Sequence, residues 1–424
     1  MTRAPSVTSA AEPSETATEA VEPAGQVSGA ASALPLLGVT VVDFTQVFMG
    51  PSCTQLLGDY GADVIKIERP GVGDLSRSSI PDPAGTDNPI FLSINRNKRS
   101  VSLDTRTEEG KQVLRRLIAD ADVVVSNFRS GVMERMGFGY EDVRAINPRV
   151  IWASGTGFGE TGPYSHKGGQ DVIAQAYTGV MWRREDPDLP LSVYPTTLCD
   201  YTTGMHLLQG ILLALISRAT TGEGQKVQVN MYDSMLHMQM QEACMQLNRG
   251  HEINWASMPL SGVFETTDGA LCMVGAFKLN PLHDISVALE LDEDLSERDE
   301  FATAEKLFGQ RPALQAIFRA RFATNSTDYW VGRLEQQDIL CAPVHTLEQA
   351  LADEQTAVNQ MIVEMEHPTA GSIRTLAAPI RLSGTPAAIR HVPPRLGEHN
   401  RQVLAEHGYD QTTLDELTDA KVLR

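Results

Sequence analysis

From Leu36 onward the chain alternates short β-branched and aliphatic runs with segments whose apolar positions recur every three or four residues. Val39–Phe44, Asp63–Glu68, Asp122–Asn127 and Val150–Ser154 read as buried strands. Between them, Pro51–Leu57 reads as a helix closed by Gly58 and Gly61. Thr107–Ala119 reads as an amphipathic helix with Val113, Leu114, Leu117 and Ile118 on one face. A long helix over Thr202–Arg218, a turn at Gly222–Gln225, a strand at Lys226–Asn230 and a Met-rich helix over Tyr232–Leu247 follow. Strands and helices alternating at this spacing predict an α/β fold with a doubly wound, mostly parallel sheet. In such sheets ligands sit beyond the carboxyl ends of the strands. The loops Thr45–Gly50, Arg69–Asp74, Asn127–Gly131 and Gly155–Gly162 are therefore the places to look for chemistry.

Beyond Met258 the texture changes. Gly262–Thr267 and Ala270–Val274, joined at Asp268-Gly269, predict a hairpin that opens a smaller α+β domain over 258–345. The Met-rich segment 232–257 would link it to a large domain beginning at 34–231. Residues 346–424 contain a strand-like Ile380–Ser383, the pair Pro393-Pro394 and a closing helix over His399–His407. Residues 1–33 are Ala, Ser, Thr, Pro and Glu with almost no large apolar side chain, and are expected to be a disordered tail.

With 424 residues and a net charge of -19, the chain is long enough for two or three domains, and its acidic surface disfavours nucleic acid or an anionic membrane. The greasiest stretch, Leu207–Ile216, is interrupted by Gln209 and Gly210 and falls well short of the roughly 20 residues of a membrane span. Five scattered cysteines without a CxxC pair suggest neither a disulfide framework nor a metal site, and fit the reducing cytoplasm. The tail, with Glu12, Glu15, Glu19 and Glu22 against Arg3, resembles neither a secretory signal nor a transit peptide. Yet residues 61–150 hold 14 basic and 13 acidic side chains, a net of +1 that leaves -20 on the rest. Arg69, Lys98, Arg99, Arg106, Arg129 and Arg135 fall there, beside predicted strand ends. Scattered charges usually form a solvated face; gathered at this end of a sheet, they would also suit a phosphorylated ligand.

Gly155, Gly157 and Gly159 follow a strand, but their spacing is a weak phosphate-loop signal, and turn glycines are the plainer reading. The first strand–helix turn, Thr45–Gly50, lacks the GxGxxG fingerprint of nicotinamide enzymes. Asp200, in Leu198-Cys199-Asp200-Tyr201-Thr202-Thr203-Gly204-Met205-His206, and Asp171, in Gly168-Gly169-Gln170-Asp171-Val172, each stand before a helix. Both could cap it, or serve as reactive carboxylates; residue type and position alone favour capping.

The segments LLGVTVVDFTQVFMGPSCTQLLGDYGADVIKIERPGVGD, NRNKRSVSLDTRTEEGK, DVVVSNFRSGVMERMGFGYEDVRAINPRVIWASGTGFGETGPY, LCDYTTGMHLLQGILLALISRATTGEGQKVQVNMYDSML, DILCAPV and PPRLGEHNRQVLAEHGY resemble the class III CoA-transferases and the related α-methylacyl-CoA racemases. They cover most of Leu36–Tyr409 in the family's order. The resemblance implies a Rossmann-like large domain with an inserted small one, a C-terminal return over 346–424 to the large domain, and an interlocked homodimer. It makes Asp200 the nucleophile that attacks a thioester, giving a mixed anhydride and then an aspartyl-CoA thioester, with Asp171 assisting. Coenzyme A enters as the thioester substrate, with no permanently bound cofactor; the partners are an acyl-CoA donor and a carboxylic acid acceptor, dicarboxylates included. CoA contacts are implied at Gln46, Val47, Phe48 and Met49, at Arg69, at Leu103, Asp104, Thr105 and Arg106, at Asn127, Phe128 and Arg129, at Arg135 and at Lys167. Lys98 and Arg99 stay with the solvated-face reading.

Departures from the family sharpen the expectation. Gln170 stands where the racemases carry a histidine, and an amide cannot relay the α-proton. Formyl-CoA transferase has Gln where this chain has Phe48, Trp where it reads Arg77-Ser78-Ser79, and a glycine-rich lid that the short Met258–Asn280 stretch lacks. A bulkier acyl group than formyl is expected, with succinyl-CoA or acetyl-CoA as donors by family analogy.

Overall fold

The computed structural model describes residues 34–80 and 88–424, so the tail read over 1–33 lies outside the described residues. Six strands, β1 (Thr40–Asp43), β2 (Asp63–Glu68), β3 (Lys98–Ser102), β4 (Val123–Ser126), β5 (Ile151–Thr156) and β6 (Lys226–Asn230), hydrogen-bond in the order β3-β2-β1-β4-β5-β6. Every pair is parallel. The order runs outward from β1 in both directions, so the chain changes direction across the sheet between β1 and β4. The helices through this part are α1 (Met49–Asp59), α2 (Pro89–Ile94), α3 (Glu108–Ala119), α4 (Val132–Met136), α5 (Tyr140–Ile146), α6 (Asp171–Tyr177), α7 (Leu198–Thr221), α8 (Met231–Met238) and α9 (Met240–Arg249).

Strands β1, β2, β4 and β5 carry apolar side chains on both faces because helices cover both. Val42, Ile65, Val101, Val124 and Trp152 face a core closed by Val113, Leu114, Leu117 and Ile118 of α3. Val41, Val64, Val123, Val125 and Ile151 face a second core closed by Cys53 and Leu57 of α1 and Leu207 and Ile211 of α7. Helix α3 starts where the pattern places it: Thr107 Oγ1 accepts the Gly110 amide at 3.0 Å, and Glu108 and Glu109 occupy its first turn.

Lys98 and Arg99 depart from the solvated-face expectation. They open β3 and are buried, at 0% and 8% exposure. Lys98 Nζ lies 3.4 Å from Asp43 Oδ2 and donates to Asn95 Oδ1 at 2.9 Å and to the Pro51 carbonyl at 3.1 Å. Arg99 is forked onto Asp63 and reaches Glu406 at 2.6 Å. Helix α1 covers Lys98, and the C-terminal segment covers Arg99 at this edge of the sheet. Ser100 donates its amide to His399 Nδ1 and accepts the His399 amide, and Val403, Leu404, Leu414, Leu417 and Leu423 enter the α3 core.

A second sheet, β7 (Ser261–Glu265), β8 (Ala270–Val274) and β9 (Leu340–Pro343), is antiparallel and has its own core of Phe264, Phe318, Phe322, Trp330 and Leu334. A separate hairpin joins β10 (Ile362–His367) to β11 (Gly371–Leu376). Two expectations are corrected here. Ile380–Ser383 is not a strand; its alternation of exposed Ile380 and Leu382 with polar neighbours finds no ladder among the described residues, and the Ile380 carbonyl instead accepts the Tyr60 hydroxyl. The Met-rich helix is two helices, α8 and α9, broken at Gln239. The buried Gln239 amide donates to the carbonyls of Met235 at 2.8 Å and Thr178 at 3.1 Å, tying the break to the end of α6.

Removing Lys98 leaves the buried Asp43 carboxylate short of a cation, and breaking a buried pair in this way costs about 3 kcal/mol. Lys98→Met should lower the guanidinium unfolding midpoint by that equivalent, and adding Asp43→Asn should restore more than half of it; a midpoint unmoved by Lys98→Met would contradict the account.

Candidate functional site

The crevice at the change of direction lies between the loops after β1 and β4. Asn127 joins them: its Oδ1 accepts the Gln46 amide at 2.8 Å and its Nδ2 donates to the Gln46 carbonyl at 2.7 Å. Val47, the next residue, has φ +67°, a left-handed conformation that a β-branched side chain strongly disfavours. Its amide is held at 3.0 Å by Oδ1 of Asp74, which is 1% exposed and paired with Lys66 at 2.8 Å. Lys66 also donates to the Thr45 carbonyl at 2.7 Å, and Asp43 accepts Thr45 and Thr54. Phe48 then enters α1, and Met49 closes against Gly155, where a Cβ would sit 2.5 Å from its sulfur.

Helix α7 begins at Leu198 with Thr197 as its cap residue, so Asp200 lies inside the first turn and does not cap the helix. The capping expectation for Asp200 is therefore corrected. Four residues on, Gly204 packs so closely on α1 that a Cβ there would meet the Met49 carbonyl at 2.5 Å and Ser52 Oγ at 2.6 Å. One helical turn separates this contact from Asp200, which places the two loops and the carboxylate along one edge.

Asp171 is the first residue of α6 and is buried. Its Oδ2 accepts the Asp200 backbone amide at 2.9 Å, and its Oδ1 accepts Gln175 Nε2 at 2.7 Å. The capping expectation for Asp171 is corrected as well: Gln170 is the cap residue of α6, and Asp171 satisfies an orphan amide of α7, not of its own helix. Gln175, wholly buried, also accepts the Tyr194 amide at 3.0 Å, so it ties Asp171 to the strand of chain leading into α7. Sequence reading missed Gln175, although its i,i+4 spacing from Asp171 on a helix was a usable signal. It singled out the loop Arg69–Asp74 but not Asp74 itself, whose local signal is that of a cap for the turn at Ser76.

Burial, and then the Asp171 charge, push the Asp200 carboxyl up to about 7. Its side chain makes no hydrogen bond or ion pair with the described residues. Burial with the same two carboxylates pushes the neighbouring Cys199 thiol up to about 12, so Cys199 stays protonated and is no competing nucleophile.

The glycines after β5 serve packing. Gly157 and Gly169 meet backbone to backbone, a Cβ on either lying 2.4 Å from the other's Cα, and this contact sets the entry to Gln170 and Asp171. Arg129 packs over Gly168 and Arg135 over Gly131. Arg69, Arg129 and Arg135 are exposed at the carboxyl end of the sheet and pair with no carboxylate among the described residues. Lys167 reaches the Tyr177 hydroxyl, with its ammonium 4.4 Å from the Tyr164 ring. Other expected contacts are already engaged. Arg106 is forked onto Asp104 at 2.6 and 2.9 Å, Leu103 is buried and bridges to Leu423, and Phe128 packs edge-on to Phe44; Thr105 is half-buried beside them. Gln46, Val47, Phe48, Met49 and Asn127 come together; Asp104 and Arg106 form a separate exposed pair.

The sheet changes direction between β1 and β4, Asp171 is tied to the Asp200 amide, and comparison with known proteins identifies the class. Residues 36–400 match the family model of CoA-transferase family III, and the chain belongs to that family. It is 35% identical over 398 residues to the succinyl-CoA:glutarate CoA-transferase of Mus musculus, covering 92% of this chain and 90% of that one. It is 34% identical over 416 residues to a formyl-CoA:oxalate CoA-transferase of Escherichia coli, covering 91% and 98%. Among solved structures, a CAIB/BAIF family protein from Brucella suis superposes with a TM-score of 0.78 at 31% identity, covering 88% of this chain and 100% of that one. The protein is an enzyme of the CoA-transferase kind. Among the described residues no helix is long and apolar enough to cross a membrane.

The Asp200 shift has a consequence for stability. A carboxyl raised in the folded state binds more protons there than in the unfolded chain, where its pKa is about 4, so stability falls as pH rises from about 4 to 7 and is flat above. Asp200→Asn removes the penalty. The variant's gain in melting temperature over the unsubstituted protein should therefore grow from pH 4 to pH 7 and then hold; a gain independent of pH would rule out the raised carboxyl.

Proposed function

We propose that this enzyme moves coenzyme A between carboxylic acids with Asp200 as covalent nucleophile. The observation that carries the reading is the Asp171–Asp200 arrangement. One carboxylate is fixed by a backbone amide and Gln175. The other stands in the first turn of a 24-residue helix, without a side-chain partner among the described residues and pushed up to about 7. The Asp200 carboxylate adds to the thioester carbonyl and expels the CoA thiolate, leaving a mixed anhydride. The thiolate attacks the aspartyl carbonyl, forming an aspartyl-CoA thioester and releasing the donor carboxylate. The acceptor carboxylate attacks that thioester, expelling the thiolate again, and the thiolate takes the new acyl group and frees Asp200. Burial, and then Asp171 as a fixed negative charge, keep Asp200 basic, and so nucleophilic, near neutral pH.

For the CoA moiety we assign its charged end to Arg69, Arg129, Arg135 and Lys167, which lie at the carboxyl end of the sheet, and its pantetheine arm to Gln46–Met49 and Asn127. Arg106, spent on Asp104, has the weakest claim. The relatives named for glutarate and oxalate transfer support a dicarboxylate acceptor, and Phe48 supports an acyl group larger than formyl. The chain is read as a large domain beginning over 34–231, a linker over 232–257, a small domain over 258–345 and a return over 346–424. We also propose a homodimer. Leu213, Ile216 and Leu247 are 67%, 68% and 84% exposed on α7 and α9, and a groove of about 690 Å³ runs between Leu351–Gln360 and Ala377–Ile389, away from both carboxylates.

Incubation with succinyl-CoA followed by hydroxylamine and peptide mass spectrometry should mark Asp200, and Asp200→Ala should reduce transfer at least about a thousandfold. Because the carboxylate form attacks, kcat/KM should fall about tenfold per pH unit below 7 and level off above it. A label on another residue, or full activity in Asp200→Ala, would sink the mechanism. Light scattering should give about twice the 46.2 kDa chain mass, with Leu213→Glu weakening the dimer; a monomer at micromolar concentration would dismiss it.

A further inference from the structure

Val47 carries a conformational cost that its sequence does not require. Among non-glycine residues a φ of +67° is rare, and a β-branched side chain makes it costlier still. Such strain persists only where the surroundings over-determine it. Here the restraint is a single buried acceptor, Asp74 Oδ1, 3.0 Å from the Val47 amide, on a side chain also fixed by the Ser76 amide and hydroxyl, at 2.8 Å each. Asp74 is held in turn by Lys66, at 2.8 Å, and Lys66 by the Thr45 carbonyl on the near side of the same loop. Asn127 grips Gln46 from the opposite strand. Residues 45–47 are thus clamped on three sides, and the peptide between Val47 and Phe48 has its direction set by the Val47 torsions.

That peptide opens α1. The amides of Phe48, Met49 and Gly50 have no acceptor among the described residues, and α7 packs on this same turn at Gly204, one helical turn from Asp200. A relaxed Val47, with φ negative, would rotate the following peptide and turn the Phe48 amide away from that edge.

Building on the transferase reading above, we propose that Asp74 is a positioning residue that holds Val47 in its left-handed conformation, so that the backbone amides after it face the carbonyl attacked by Asp200. An amide donor placed in advance on a developing oxyanion is worth about a hundredfold or more in rate. Asp74 itself touches no reacting atom and acts through the Val47 peptide.

The test uses Asp74→Ala, Val47→Gly and their combination in the full chain, with two readouts. The first needs no substrate: a crystal structure of each variant gives φ at residue 47. It should turn negative in Asp74→Ala and positive again in the double variant, because glycine occupies the left-handed region without penalty. The second is the rate of acylation of Asp200 by succinyl-CoA. This should fall about a hundredfold in Asp74→Ala, and recover at least about tenfold when Val47→Gly is added. A purely structural role for Asp74 would show no such rescue. Should Asp74→Ala fail to fold, Asp74→Asn keeps the acceptor oxygen but loses the ion pair with Lys66, and is expected to retain the left-handed φ and most of the acylation rate. Val47 still at positive φ in Asp74→Ala, or an unrescued double variant, overturns the inference. If no protein in the series acquires a label at Asp200, the transferase reading fails and the crystallographic arm alone decides whether Asp74 holds Val47.

Discussion

Beneath the first strand–helix loop lie four charges with almost no exposure: Asp43, Lys66, Asp74 and Lys98 at 0%, 1%, 1% and 0%. Removing them from water costs several kcal/mol each unless every one is paired and hydrogen-bonded, and here each is. Burial alone would raise the Asp43 carboxyl, but the Lys98 and Lys66 ammonium groups and the Thr45 and Thr54 hydroxyls outweigh it and hold it below the usual range. Lys98 bears the residual cost; burial draws it down to about 8 against the pull of Asp43. The network sits where the strand period puts it. Asp43 lies opposite Lys66, and Val64 opposite Lys98, so side chains from three adjacent strands converge on the face that α1 covers. A hydrophobic cluster could fill that volume as well, but it could not hold the Thr45 carbonyl and the Val47 amide in fixed directions. The loop's geometry depends on that rigidity.

The sheet was legible because its strands announce themselves. Asp63–Glu68 and Lys226–Asn230 fall where the pattern puts them, and α3 starts at its Thr107 cap. Strand β3 was not legible. Lys98-Arg99-Ser100-Val101-Ser102 has one apolar side chain, and only the return of residues 388–400 and the pairing with Asp43, Asp63 and Glu68 make it a buried strand. Pattern rules assume that charge seeks water, and they fail where tertiary partners stand in for water. The break at Gln239 was hidden for a related reason, since a buried amide bonded to Thr178 leaves no periodic trace.

The site shows the same division. Asp200 and Asp171 were visible as carboxylates at helix starts, and local reasoning favoured capping for both. That chemistry is present but belongs to one carboxylate acting on the other's helix: Asp171 spends its lone pairs on the Asp200 amide and on Gln175, which leaves Asp200 unengaged. A sequence can place two acids near helix termini, yet which acid is consumed by structure and which is left reactive depends on a contact between residues 29 positions apart. Resemblance to a family is what names Asp200 as the nucleophile; periodicity does not separate the two acids.

On the proposed route a carboxyl near 7 is a compromise between two demands. Attack on a thioester favours a basic carboxylate, and Asp200 is more basic than the free acids it serves, whose pKa values are about 4. In the mixed anhydride the same basicity makes Asp200 the poorer leaving group. Thiolate attack on the aspartyl carbonyl then expels the donor acid and commits the first half of the cycle. The closing step asks the reverse, since the thiolate must attack the new acyl group and expel Asp200. Greater basicity would speed the opening and stall the close, while an unshifted aspartate would be a weaker nucleophile. Burial sets most of that value and the fixed Asp171 charge adds to it; both act only while Asp200 is ionised, so both vanish in the acylated states. The Gln175 hydrogen bond holds the Asp171 carboxylate, and with it that charge, in place beside the Asp200 amide.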